Sequence, residues 1–297
     1  MRNTLAKSVY EAAKANKDFV LISGDAGLGV WDSYKEDFKK QYFNPGINEA
    51  LCVGMAAGMA LCGKKVVYYN IAPFVLMRPF EQVRNDICYQ NLPVILVGTG
   101  SGLTYMPSGM THYAIEDIAL GLAMPNLDIF SPCDSVETKA CFDYAYRSKN
   151  PSYIRIPKAG EPDFHAAEIL DITAPQILRE GKSGILLVAH SAIVSEVLEA
   201  ASIVDASVMS LPFINSNNIE ILKKILIFDR IVVVEEHFQY GGLGTYLQSQ
   251  VDKKIEILAL PNAYVHFIGT QAQAREHFGI NASGIVKFIK DKKWVEN

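Results

Sequence analysis

Short apolar runs alternate with helical spacing along most of this chain, and that alternation restricts its fold more than any other feature. Phe19-Val20-Leu21-Ile22, Lys65-Val66-Val67-Tyr68-Tyr69, Pro93-Val94-Ile95-Leu96-Val97, Leu127-Asp128-Ile129-Phe130 and Tyr153-Ile154-Arg155-Ile156 read as strands. The stretches between them carry helix-like spacing, clearest over Leu5 to Ala15, Ile47 to Leu61, Phe80 to Tyr89 and Ser135 to Arg147. Strands that alternate with helices imply a mainly parallel sheet covered on both faces, an α/β fold.

The alternation pauses between Lys158 and Gln176, where Gly160, Pro162 and Pro175 interrupt it. A linker belongs there. A second series follows, with strands expected at Ile185 to Ala189, Ala206 to Met209, Ile231 to Val234 and Ile255 to Leu258. Helices are expected near Ile193 to Ala201, Ile219 to Ile225 and Gly244 to Val251. The chain therefore divides into an α/β domain over 1–165 and a smaller α/β domain over 166–297.

A length of 297 residues with 49% hydrophobic and 20% charged residues suits a globular protein with a sizeable core. The net charge of -4 argues against nucleic acid or an anionic membrane surface as the main partner. No apolar run approaches the roughly 20 residues that span a bilayer. The first residues lack the apolar region of a signal peptide. The five cysteines (Cys52, Cys62, Cys88, Cys133 and Cys141) include no CxxC pair, so a reduced, cytoplasmic chain is expected, with neither a disulfide framework nor a metal site of its own.

One segment points to chemistry. Asn44 to Ala60 places a single carboxylate, Glu49, at the start of an apolar helix punctuated by Gly54 and Gly58. A lone buried carboxylate is costly as an ion. It becomes sensible where the acid shares a proton with a bound heterocycle. Interior glycines cost about 1 kcal/mol each relative to alanine, so they imply close approach of another backbone or a ligand.

Gly46-Ile47-Asn48-Glu49 resembles the glutamate motif of thiamine diphosphate enzymes. Other segments in order along the chain resemble the transketolase family and its relatives, deoxyxylulose phosphate synthase and the β subunits of 2-oxo acid dehydrogenases. These are Arg78 to Arg84, Leu92 to Gly98, Gly109-Met110-Thr111-His112, Ser131-Pro132-Cys133-Asp134 and, in the second half, Val234 to His237 with Gly241 to Gly244. The match covers the C-terminal half of such enzymes: a pyrimidine-binding domain and a transketolase C-terminal domain. The family's diphosphate and metal motif, Gly-Asp-Gly followed by a distant asparagine, has only Gly24-Asp25-Ala26-Gly27 for comparison, and that string lies too near the start.

The resemblance thus implies an N-terminal partner subunit that holds the cofactor diphosphate and a divalent ion such as Mg2+. It also implies self-association through the pyrimidine-binding domain, and an α2β2 heterotetramer. It assigns Glu49 to the pyrimidine N1′, with Phe74 as the stacking aromatic and Tyr69 as a second wall. His112 is placed over the reacting carbon, and Arg155 is matched to a substrate-phosphate arginine, an internal ion pair being the equal alternative. Arg78 falls near the cofactor loop, and His237 reads as structural.

The sequence departs from the family in one loop, Thr99 to Gly109. Gly100 stands where transketolases carry a histidine, and Ser108 replaces an acid that recognises a donor hydroxyl. Tyr105 and Met106 suggest a more apolar pocket. These changes touch the substrate, so a modified, deoxygenated or nucleotide-linked sugar replaces the ordinary pentulose phosphate in the expectation. The leading reading is a transketolase subunit for carbohydrate metabolism that moves a two-carbon ketol unit. A dehydrogenase β subunit and a non-catalytic pairing subunit are the alternatives. The Gly241-Gly242-Leu243-Gly244 run is read as a tight turn, not a nucleotide loop.

Overall fold

The computed structural model describes residues 1–158 and 161–295, so Gly160 of the expected linker lies outside the described residues. The first half runs α1 (Arg2–Ala15), β1 (Phe19–Ser23), α2 (Asp32–Asp37), β2 (Tyr42–Phe43), α3 (Glu49–Leu61), β3 (Lys65–Ile71), α4 (Phe80–Gln82), β4 (Ile95–Thr99), α5 (Asp117–Leu122), β5 (Asp128–Phe130), α6 (Ser135–Arg147) and β6 (Ser152–Ile156). Its six strands form one sheet in the order β2-β1-β3-β4-β6-β5, and every pairing is parallel. β1, β4 and β6 are buried at every residue, as a sheet covered on both faces requires.

The second half runs β7 (Gln176–Arg179), β8 (Ile185–Ala189), α7 (Val194–Val204), β9 (Ser207–Ser210), α8 (Ile219–Leu226), β10 (Arg230–Phe238), α9 (Leu243–Gln250), β11 (Glu256–Leu260), α10 (Gln271–His277) and α11 (Ala282–Asp291). Its sheet has the order β11-β10-β8-β9-β7, parallel except for β7 against β9. No described helix is long and apolar enough to cross a membrane. All five cysteines are free thiols, and Cys62 alone among them is exposed.

Local chemistry sets the elements that matter. α3 begins at Glu49 because the Asn48 side chain accepts the Leu51 N–H at 3.2 Å, while the carboxylate of Glu49 meets the positive end of the helix. The expected helix from Phe80 to Tyr89 is only partly α: α4 lies between π-helical turns at Pro73–Met77 and Val83–Cys88. Pro79 stands at that junction and has no N–H to continue an α ladder.

The two halves are tied together at the loop after β4. The Glu236 carboxylate accepts the Leu103 N–H at 2.9 Å, and Ser101 and Ser191 hydroxyls meet at 2.9 Å. Phe130 packs on Phe213 with ring centroids 4.4 Å apart. The Phe238 N–H reaches the Ile115 carbonyl at 2.9 Å, and the Tyr113 hydroxyl reaches the Val265 carbonyl at 3.2 Å. The second domain thereby fixes the segment that carries His112.

Candidate active site

Parallel α/β sheets present their loops at the carboxyl ends of the strands, and ligands bind where neighbouring connections diverge. Here β1 leads towards β2 on one side, and α3 carries the chain back to β3 on the other. A cavity of about 310 Å³ opens at that point. The loop Gly24 to Leu28 after β1, Asn70 and Ile71 at the end of β3, and Thr99 at the end of β4 contribute to its wall.

Glu49, Tyr69 and Phe74 line this cavity together. Glu49 is 4% exposed, and its Oε1 accepts a hydrogen bond from Arg78 Nη1 at 2.6 Å. The arginine end of the pair is half exposed, so the carboxylate is enclosed while its partner can swing away. Arg78 also lies over the Phe74 ring, Cζ 4.0 Å from the centroid. Tyr69 is buried against Trp31 with ring centroids 5.0 Å apart, and burial pushes its hydroxyl up to about 12. It is a neutral wall at ordinary pH.

His112 approaches from the loop after β4. Its ring meets Phe74 edge-on at 5.3 Å between centroids, and Tyr105 at 6.3 Å. Its Nδ1 lies 2.8 Å from the Thr111 hydroxyl, which orients the imidazole. Ser108 lies further out, exposed at the end of a single 3₁₀ turn, Met106–Ser108. The structure therefore brings Glu49, Phe74, Tyr69 and His112 around one opening and leaves Ser108 on its rim.

Arg155 does not join them. It is 1% exposed, and its Nε donates to the Asp117 carboxylate at 2.7 Å. Nη1 donates to the Ser131 hydroxyl at 3.2 Å and Nη2 to the Ala114 carbonyl at 3.1 Å. Each guanidinium nitrogen is committed inside the chain, which corrects the expectation of a phosphate-holding arginine. The ion-pair alternative describes its position. Burial acts to lower its affinity for a proton, but Asp117 and Tyr153 more than offset that, and the net shift is upward.

Residues 241 to 244 also have an internal use. The Glu235 carboxylate accepts the N–H groups of Leu243 at 2.8 Å and Gly244 at 3.0 Å, closing the start of α9. Those donors are unavailable to a phosphate. His237 is fully buried, with its Nδ1 2.8 Å from the Phe238 carbonyl.

Several wall residues had no sequence signal of their own. Arg2, from α1, and the Gly24 to Leu28 loop reach the cavity only because β1 ends beside β3. The general rule that sites form past the carboxyl ends of parallel strands was the available hint for that loop.

Comparison with known proteins agrees with this arrangement. Residues 1–161 match the transketolase pyrimidine-binding domain, and residues 175–285 match the transketolase C-terminal domain. The chain belongs to the transketolase family. As a transketolase-like subunit it is 31% identical to one subunit of the apulose-4-phosphate transketolase of Actinobacillus succinogenes, over 96% of each chain. It is 28% identical to a putative transketolase C-terminal section of Methanocaldococcus jannaschii, over 98% of this chain and 96% of that one. A solved structure described as a split gene transketolase, inactive beta4 tetramer, superposes with a TM-score of 0.85 at 27% identity, covering 98% of this chain and 96% of that chain. The transketolase-like subunit is thus a C-terminal section of a thiamine diphosphate enzyme.

Proposed function

We propose that this chain is the pyrimidine-binding subunit of a two-chain transketolase that moves a two-carbon ketol unit between sugars. The observation that carries the reading is the enclosed Glu49 carboxylate at a cavity walled by Phe74 and Tyr69. An acid with an aromatic wall beside it fits an aminopyrimidine, which offers a protonatable ring nitrogen at its edge and an apolar face for stacking. When bound, thiamine diphosphate supplies the electron sink for the transferred carbon unit.

The chain's own residues then have distinct tasks. Glu49 holds and moves a proton at the pyrimidine N1′, with Arg78 giving way as the ring enters. Phe74 and Tyr69 orient the ring and exclude water. His112, beyond Phe74, hydrogen-bonds substrate oxygens or relays a proton near the reacting carbon. Ser108 contributes at the outer rim. The diphosphate and a divalent ion such as Mg2+ are assigned to an N-terminal partner subunit, and the division into domains is placed at 165/166.

Self-association through the first domain is part of the same reading. Ala50, Leu51, Gly54, Gly58 and Leu61 on α3 are exposed, and a Cβ added at Gly54 or Gly58 would meet nothing within 4 Å. The glycines therefore keep an outer face smooth and do not serve packing within the chain. Ile47 is 75% exposed beside them. Burying each such leucine or isoleucine is worth about 1.5–3 kcal/mol.

The loop after β4 supports a donor other than the ordinary pentulose phosphate. The Tyr105 ring lies against Gly100, so the space of the usual histidine is filled by an aromatic. The test is reconstitution. Alone, the chain should self-associate, bind thiamine diphosphate weakly and show no ketol transfer. With a chain carrying the diphosphate motif it should turn over. Full activity or tight cofactor binding by the isolated chain would refute the two-chain reading.

A further inference from the structure

At the edge of the first sheet farthest from α2 and β2, Cys133, Glu137 and His165 converge at the start of α6. Their thiol sulfur, one carboxylate oxygen and one imidazole nitrogen all lie within 4.8 Å of one another. Cys133 and Glu137 are fully buried. Among the described residues, Glu137 Oε1 and His165 Nε2 are buried without a hydrogen-bond partner. A fully buried carboxylate oxygen without a donor is costly and calls for an occupant.

The separations identify the occupant's class. His165 Nε2 and a Glu137 carboxylate oxygen are 3.8 Å apart, too far for a hydrogen bond. Two ligands on one tetrahedral zinc, with bonds of about 2.0–2.3 Å, stand roughly 3.3–3.8 Å apart. The surrounding bonds aim the free atoms. Asp134 Oδ2 lies 2.7 Å from His165 Nδ1, which places the ring proton there and leaves the Nε2 lone pair free. That carboxylate–imidazole pairing is the usual support of a metal-bound histidine. The Cys133 N–H donates to Glu137 Oε2 at 2.7 Å, fixing the carboxylate with Oε1 turned inward. Asp134 is itself held by the N–H groups of Glu137, Phe164 and His165 at 2.8, 2.9 and 3.0 Å. Ser210, from β9 of the second domain, stands beside Cys133 and Glu137 as a fourth, neutral oxygen.

We propose that Cys133, Glu137 and His165 bind a zinc-class divalent cation that fastens the segment after β6 to the start of α6. A thiolate, an imidazole and a carboxylate together suit zinc and not magnesium or calcium, which prefer oxygen alone. Coordination releases the Cys133 thiol proton to solvent, and the two anionic ligands balance the ion's charge. This site is separate from the cofactor cavity and its hard-oxygen ion. The sequence hid it because the cysteine and the acid lie on one turn and the histidine comes from beyond the next strand.

The test is metal analysis of the full-length chain after dialysis against zinc, with cobalt as a spectroscopic substitute. One equivalent of zinc per chain and a thiolate-to-cobalt charge-transfer absorption are expected. Cys133→Ser should abolish that absorption. Asp134→Asn, which can still cap α6, should weaken zinc about 10- to 100-fold. Cys62→Ser should change nothing. A wild-type chain that retains no zinc overturns the proposal without any variant, as does binding undiminished in folded Cys133→Ser and His165→Gln chains.

Discussion

The ring of Tyr105 occupies the space that any side chain at Gly100 would need, and Gly100 itself has φ +91. The two residues are one device: the glycine admits the ring, and the ring closes that side of the cavity it lines with Glu49.

Restoring a histidine at position 100 should therefore damage the protein and not simply broaden its donors. Gly100→His forces a left-handed backbone on a residue with a bulky ring and drives it into Tyr105. A loss of about 2 kcal/mol or more is expected from denaturant unfolding of the chain. Adding Tyr105→Gly should recover part of it.

The Arg155–Asp117 pair offers a thermodynamic cycle. Both groups are buried, and the Tyr153 hydroxyl also donates to Asp117 at 2.8 Å. Removing either charge strands the other, so Asp117→Ala and Arg155→Met should each cost about 3–5 kcal/mol. The double variant should cost clearly less than their sum, as read from urea midpoints. A sugar-phosphate KM in the reconstituted enzyme that rises only as far as stability falls would fit the internal role.

Acid stability should depend on His190. It is fully buried, with its Nδ1 2.8 Å from the Ser131 hydroxyl and its Nε2 3.6 Å from Glu235. Desolvation pulls its affinity for a proton below the ordinary value. Burial alone would raise Glu235, but His190, His237 and the Gly244 N–H more than offset it, and it is lowered. A depressed histidine is neutral in the folded chain while the unfolded chain takes up a proton below about pH 6.5, so its contribution is lost as pH falls through that region. The lowered Glu235 adds stability that disappears only at more acid pH. His165 is raised, despite the opposing effect of burial, by Asp134 and Glu137, and acts in the opposite sense. Comparing urea midpoints at pH 7.5 and 5.5 for wild type and His190→Gln isolates the first effect. The variant should show the smaller loss on acidification.

Phe74 should matter for the cofactor. Its ring stands between Arg78 and His112. Phe74→Ala should weaken thiamine diphosphate binding by the assembled pair about 10-fold, roughly 1.4 kcal/mol, with the chain still folded.

Much of the fold was legible because its strands are buried on both faces and so read as unbroken apolar runs. β8 was bounded to the residue and α6 likewise. β2 escaped because two residues cannot form a run, and β7 because it sits in the expected linker with a partly exposed, uneven pattern. In the site, Glu49, Tyr69 and Phe74 were readable from one helix start and one strand end. Arg155 misled because a strand-end arginine has the same sequence signature whether it faces a ligand or Asp117. The buried group around His165 was illegible, since only folding brings residues 133 and 165 together.

The most direct measurement is ketol transfer by the reconstituted pair carrying Glu49→Gln, a side chain of the same shape that cannot exchange a proton. Turnover lower by at least about 100-fold, with subunit assembly intact, is the predicted result. Cofactor-dependent turnover at the wild-type rate would contradict the assignment of Glu49 and, with it, the catalytic reading of this chain.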